Sequence, residues 1–389
     1  MVSIWGVPEA EALQSSERLS VGEDFEYVLR LLPEGWQGKA KELGALRRCR
    51  KVPSAEVLLR VLLIHLAEGC SLRETALRAA RGQIAQLSDV AIMDRLRLSG
   101  SWFRWMNVGL VQRWIEREPR RLYGTQRRIN LVDATRIQEP GPTGSSWTLH
   151  YCIELVSLAC RQWVVTDWQG NGESFWRFKP QPQELYIADR AYGTRAGIAA
   201  FAQAGAEVLV RFAMDNLPLV QPSSPQRFSL LSHLRRLKAT QLGDWPVEFE
   251  YEQERFAGRV CALKRSRQAA EQAIKKFLLT SKRKGQKPKA STIEAQRYVF
   301  VFTTLSPAEL SASQALELYR GRWQIELVFK RLKSILQIGH LRKIDADSAL
   351  SWIEGKLFVA LLIEALLRQA ESFFPWGFPL EQSPTLPLA

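Results

Sequence analysis

Residues 319–333 read Tyr319-Arg320-Gly321-Arg322-Trp323-Gln324-Ile325-Glu326-Leu327-Val328-Phe329-Lys330-Arg331-Leu332-Lys333. Set on an α-helix at ~100° per residue from Tyr319, Arg322 falls at ~300°, Glu326 at ~340° and Lys333 at ~320°. One stripe therefore carries a guanidinium, a carboxylate and an ammonium, with the Tyr319 phenol at its edge. Leu318, Ile325, Val328, Phe329, Leu332 and Leu336 fill a neighbouring arc of ~180–280°, the face a core would cover. A carboxylate among cations suits a phosphate-and-metal site: Glu binds a hard cation while Arg and Lys hold a negatively charged substrate. The alternative for this segment alone is a solvated helix with an Arg322–Glu326 pair at i,i+4. The periodicity predicts one helix from Ser311 to about Gln337.

Two further acids stand where acids are costly. Asp133 lies in Ile129-Asn130-Leu131-Val132-Asp133-Ala134-Thr135, on or at the end of a β-run. Asp189 follows Tyr186-Ile187-Ala188 and precedes Arg190-Ala191-Tyr192-Gly193. Such a carboxylate needs a partner, a hydrogen bond or a metal. Taken singly, each also fits a turn or N-cap. Two acids from strands and one from a helix can converge on two divalent cations, which drive in-line phosphoryl transfer.

The full Tyr-x2-Arg-x3-Glu-x6-Lys spacing, met by Tyr319, Arg322, Glu326 and Lys333, resembles the signature of the DDE transposases of the bacterial insertion-sequence-four family. Asp133-Ala134-Thr135 and Asp189-Arg190-Ala191-Tyr192-Gly193 are similar to its first and second acidic motifs, in the right order. Phe302-Thr303-Thr304-Leu305 and Leu341-Arg342-Lys343 also fit. The resemblance covers roughly residues 125–370. It implies an α/β chain with an RNase H-like mixed sheet core interrupted by a mainly β insertion; the helical periodicity of the first ~120 residues adds an all-α N-terminal domain before it. The resemblance implies Asp133, Asp189 and Glu326 as catalytic metal ligands for two Mg²⁺ ions, which Mn²⁺ could replace. Tyr319, Arg322, Lys330 and Lys333 would hold backbone phosphates. Some relatives stack a Trp of the insertion on an extruded base; Trp245 lies in that slot and Trp323 on the signature helix. The partners implied are double-stranded transposon ends and target DNA, bound by a homodimer. The rival readings are a metal-dependent endonuclease or resolvase on the same core, and a non-enzymatic DNA-binding protein derived from a transposase.

Charge agrees with a polyanionic partner. The 389 residues carry 54 Lys and Arg against 40 Asp and Glu, a formal +14. Hydrophobic residues make up 46%, which excludes a largely disordered chain. No apolar run reaches the ~20 residues that span a bilayer, and the acidic start lacks the pattern of a secretory signal. The expected location is the bacterial cytoplasm, at the nucleoid, with no membrane partner. Five scattered cysteines and four isolated histidines give no zinc or disulfide pattern.

Ser54, Ser71 and Ser88 each precede a helix-periodic run, at Ala55–Glu68, Leu72–Arg81 and Asp89–Leu98. With Arg78, Arg81, Arg95 and Arg97 as candidate DNA contacts, these helices are compatible with a helix-turn-helix, and equally with a plain helical hairpin. Strand-like runs are Arg128–Asp133, Trp147–Ser157, Arg161–Trp168, Leu185–Ala188, Ala206–Phe212 and Arg297–Leu305. Asp244–Lys264 reads as a hairpin with Gly258 near its turn. From Lys275 to Arg297 there are eight Lys or Arg and one Glu. That stretch, with Lys282, Arg283 and Lys284 at its centre, reads as a solvated loop able to track phosphates. The expected domains are a helical DNA-binding domain (1–122), the first part of the core (123–212), the insertion (213–305), the second part of the core with the Glu helix (306–375), and a Pro-rich tail (376–389).

Overall fold

A computed structural model describes residues 25–47, 49–115, 122, 127–139, 146–167, 172–339, 341 and 345–373. The acidic start up to residue 24, His340, Arg342, Lys343 and the Pro-rich tail lie outside the described residues. The chain forms two compact units, residues 1–116 with 335–389, and residues 117–334.

The first unit is helical wherever it is regular. It contains α1 (25–30), α2 (Trp36–Glu42), α3 (Ala55–Leu66), α4 (Leu72–Arg81), α5 (Asp89–Leu98), α6 (Gly100–Ile115) and a C-terminal helix, Ala346–Phe373. The serine caps form as the sequence indicates: Ser54, Ser71 and Ser88 accept from the N–H of Val57, Glu74 and Ala91, each at 3.2 Å. The C-terminal helix clusters with this unit, whereas the expected domains gave 306–375 to the second part of the core. Its residues 351–362 are buried on every side, and a helix apolar all round must sit inside other helices. Here α3, α5 and α6 surround it. Its two buried charges are satisfied there. Glu354 accepts from Arg104 (2.8 Å) and Asn107 (3.0 Å), and Lys356 donates to the Leu66 carbonyl at 2.6 Å.

The second unit is built on one eight-stranded sheet of order β3-β2-β1-β4-β5-β8-β7-β6. Strands β1 (Ile129–Gln138), β2 (Ser146–Glu154) and β3 (Cys160–Thr166) form an antiparallel meander. Strands β4 (Leu185–Ala188) and β5 (Glu207–Val210) run parallel to β1, joined by α7 (Arg195–Gln203). This is a mixed α/β arrangement consistent with an RNase H-like core.

Residues 213–305 do not make a sheet of their own. After α8 (Leu230–Arg235), strands β6 (Leu242–Tyr251), β7 (Glu254–Lys264) and β8 (Tyr298–Thr303) add antiparallel onto β5. The hairpin turn lies at Glu252 and Gln253, both at positive φ, the geometry of a tight two-residue turn. Gly258 sits instead within β7, opposite Val247. A Cβ there would come within 2.3 Å of the Phe302 ring, so close packing, not turning, requires the glycine.

The basic stretch is also corrected. It is largely helical: α9 spans Arg267–Arg283 and α10 spans Ala290–Ala295. Ser266 caps α9 by accepting from Ala269 N–H. The run of Ala, Gln, Lys and Leu favours a helix until Gly285, at φ +64°, ends it.

The expected long helix is two helices, α11 (Ala312–Arg320) and α12 (Trp323–Ser334). Between them Arg322 N–H bonds the Tyr319 carbonyl, Gln324 N–H that of Gly321, and Ile325 N–H that of Arg322. These tight three-residue bonds replace the α-ladder around Gly321. The apolar face holds across α12: Ile325, Val328, Phe329 and Leu332 are buried, and Phe329 packs on Tyr151 of β2 at 6.2 Å.

Candidate active site

Parallel pairing of β1 with β4 brings two of the acids together. The register matches Leu131 to Ile187 and Val132 to Ala188, so Asp133 and Asp189 follow as neighbours on strands ~4.8 Å apart. β4 ends at Ala188 while β1 continues. Asp133 is therefore mid-strand but free of a β4 partner at its own position. Each acid tucks one oxygen into the backbone: Asp133 Oδ1 accepts from Ala134 N–H and Asp189 Oδ1 from Ala191 N–H, both at 2.8 Å. Gly193 closes the loop that follows. A Cβ there would meet the Arg211 carbonyl at 2.4 Å, so this backbone approach to the end of β5 needs glycine.

Glu326 joins this pair through Arg322. The Arg322 guanidinium donates to Asp133 Oδ2 at 3.3 Å and, with its other nitrogen, to Glu326 Oε1. Its side chain is 19% exposed, against 56% for Glu326. Among the described residues no three acidic, histidine or cysteine side chains form a closed cluster; the Arg322 guanidinium bridges Asp133 and Glu326. The donor set nonetheless fits a hard divalent cation: it is all carboxylate, and it already holds a positive charge between two of its members.

Burial, and then the nearby Asp189 charge, push the Asp133 carboxyl up to about 7, against the opposing pull of the Ala134 N–H and Arg322. Burial raises the Tyr319 phenol to about 12, opposed by Arg322 and Arg211. Asp133, Glu326, Lys330 and Lys333 line an open groove of about 570 Å³. The two lysines are exposed along it.

The raised Asp133 carboxyl has a consequence for the metal-free protein. A carboxyl whose folded pKa is raised destabilises the fold once pH exceeds its unfolded value near 4, and fully so above about 7. Asp133→Asn is therefore expected to raise the melting temperature at pH 8 in the presence of a chelator, with little change near pH 4. The gain is on the order of 2–4 kcal/mol. Thermal melts across that range check it, and an Asn variant less stable at pH 8 would contradict it.

The structure adds groups that the sequence reading passed over. Glu173, just before the short helical turn at Phe175–Arg177, is raised by burial and then by the Asp189 charge, with Arg136 and Lys284 opposing. Arg190, Arg211 and Arg265 are three cations whose charges interact around Asp189 and Tyr319. Their signal in the sequence is slight: an arginine directly after the Asp of a β-run, and two just beyond the ends of β5 and β7.

The remaining candidate contacts fare differently. Arg78 is shared between Glu68 and Glu74, whereas Arg81 and Arg97 are exposed and Arg95 half-buried. Lys282, Arg283 and Lys284 are exposed at the C-terminal end of α9. Trp245 packs on Phe228 and His233, at 6.4 and 5.5 Å, as a core residue does. Trp323 is half exposed, beside Tyr319.

Two sheet-borne acids and a helix-borne acid, with cations beside them, are thus linked at one place in the second unit. The family model for the transposase DDE domain matches residues 124–362, and the chain belongs to that family. The transposase of insertion sequence element IS421 from Escherichia coli is 33% identical over 350 residues, covering 88% of this chain and 93% of its own. InsL of insertion sequence element IS186A, from Escherichia coli (strain K12), is 33% identical over 349 residues with the same coverage. The transposase of IS231F from Bacillus thuringiensis subsp. israelensis is 24% identical over 272 residues, 62% of this chain and 57% of its own. These matches agree with the insertion-sequence-four resemblance. The chain is an enzyme of DNA transposition that cuts and joins DNA with a divalent metal. Among the described residues no helix is long and apolar enough to cross a membrane.

Proposed function

We propose that this transposase works by cut and paste: it binds the ends of its element, cleaves them, and joins the freed 3′-OH ends to target DNA. Asp133, Asp189 and Glu326 would hold two Mg²⁺ ions, with Mn²⁺ able to substitute. Bound there, the metal would activate the attacking oxygen and neutralise the leaving one. The observation that carries this reading is the linked trio: parallel strands set Asp133 beside Asp189, and one guanidinium ties Asp133 to Glu326.

The chain's own cations do the rest. Lys330 and Lys333, exposed along the groove beside Asp133 and Glu326, attract the backbone and steer the scissile phosphate toward the acids. Tyr319 stays protonated, because burial holds its phenol well above neutrality, so it donates to a phosphate oxygen. Arg322 bonds Asp133 and Glu326; with a divalent cation held by those acids, its fork would be available to a phosphate instead. The helical unit, with Arg81, Arg95 and Arg97, reads the element's end, and the strands of 213–305 with the basic end of α9 form the insertion that flanks the core. The enzyme pairs two ends as a homodimer at the nucleoid.

The test is a strand-transfer assay on duplexes carrying the element's terminal repeats, with supercoiled target and Mg²⁺ or Mn²⁺. Joined products are expected. Cleavage without joining would replace this reading with a nuclease, and binding without cleavage under either metal would replace it with a regulator.

A further inference from the structure

On the Tyr319 side of the site lies a pocket of about 280 Å³, distinct from the groove lined by Lys330 and Lys333. Arg211, Arg265, Arg320 and Arg322 line it, with Tyr319 and Trp323. Four guanidinium groups around one cavity repel one another unless something negative sits among them. For Arg322 that partner exists, in Asp133 and Glu326. For Arg211 and Arg265 it does not: neither forms an ion pair among the described residues, and the Arg265 Nε is buried without any hydrogen-bond partner.

We propose that Arg211 and Arg265 form a seat for one phosphodiester of the bound DNA strand, additional to the phosphates held by Tyr319, Arg322, Lys330 and Lys333. The two arginines come from different parts of the chain. Arg211 extends directly from β5 of the central sheet. Arg265 follows β7 of residues 213–305, its own backbone N–H fixed on the Arg297 carbonyl at 2.9 Å. The seat therefore ties the inserted strands to the strand being cut.

A half-buried, unpaired guanidinium with one nitrogen sealed from water is a destabilising feature unless its use lies in a ligand. Burial and the Arg211 charge both lower the proton affinity of Arg265, with no negative group opposing them. A guanidinium fork matches phosphate geometry, so two of them facing one cavity suit an oxyanion with several oxygens. Trp323, half exposed at the same wall, presents an apolar face to the sugar or base attached to that phosphate.

This inference rests on the DNA-cutting reading, and the test keeps the two apart. Arg211→Gln and Arg265→Gln are compared with the wild type in four measurements. First, removal of either unpaired charge is expected to raise the melting temperature of the DNA-free protein; an arginine with a structural role would lower it. Second, inorganic phosphate is expected to stabilise the wild type more than either variant. Third, each variant is expected to bind end DNA about tenfold more weakly, with the salt slope reduced by about 0.9, the value of one phosphate. Arg265→Lys should recover part of that loss. Fourth, single neutral methylphosphonates are scanned along the end DNA: one position should weaken the wild type about tenfold and leave Arg265→Gln unaffected. Wild-type affinity and slope in both variants, while the wild type still cleaves, would overturn the seat alone. Phosphate stabilisation with no coupled methylphosphonate would assign the pocket to free phosphate and overturn the DNA assignment. Failure of the wild type to cleave would instead count against the reading of the active site.

Discussion

Asp133→Asn, Asp189→Asn and Glu326→Gln are each expected to lower the rate of metal-dependent end cleavage by about 10³-fold or more. A metal that neutralises developing charge is worth several kcal/mol, and ~4 kcal/mol corresponds to that factor. The amides keep the shape of the carboxylates but lose the charge that holds a cation. Binding of end DNA is expected to move the other way. Each substitution removes a negative charge from a surface facing phosphates, so affinity in a chelator should hold or tighten. That opposition separates a lost metal ligand from a damaged fold. Single-turnover cleavage and binding titrations on the same preparations check it. Any one of the three amides cleaving near the wild-type rate would remove that residue from the centre.

Local signals carried much of the fold. Ser54, Ser71 and Ser88 announce their helices because a cap is a short-range hydrogen bond. The apolar arc of Ile325, Val328, Phe329 and Leu332 is legible because periodicity is local too. The break at Gly321 is not, since residues on either side keep their spacing while the hydrogen bonds between them tighten. In residues 275–297 a high density of Lys and Arg suggested a solvated loop. The Ser266 cap and strong helix formers decided otherwise, and charge does not oppose a helix whose lysines reach water. The partners of Ala346–Phe373 were hidden for a different reason: an all-round apolar helix says that it is buried, not by what.

The site divides in the same way. Asp133, Asp189 and Glu326 could be picked out singly, as acids where acids are costly. Their adjacency depends on β1 pairing with β4 across more than fifty residues, which no local pattern encodes. Arg211 and Arg265 became significant only when folding brought together two unremarkable arginines from separate strand ends. Arg78 illustrates the converse. It had the charge and the helical position of a DNA contact, yet Glu68 and Glu74 already occupy it.

Arg322→Ala is expected to reduce cleavage by about 10²-fold, the usual scale for losing a charged group that stabilises a phosphoryl transition state. Metal affinity should change in the opposite sense. In the structure the guanidinium bonds both Asp133 and Glu326, so a divalent cation must displace it before both carboxylates are available. A positive charge left ~4 Å from the ion costs about 1–4 kcal/mol, depending on how much water screens it. Removing it should therefore tighten Mn²⁺ binding severalfold even as turnover falls. Arg322→Lys keeps a charge but loses the fork, and should fall between the two in cleavage. Mn²⁺ titration by calorimetry in the absence of DNA, set beside single-turnover cleavage at saturating metal, distinguishes two roles. Tighter metal with slower cleavage identifies Arg322 as a counterion that moves from acids to phosphate. Weaker metal with slower cleavage would mean that its bonds hold the carboxylates in place for the ion, and the exchange argued here would not occur.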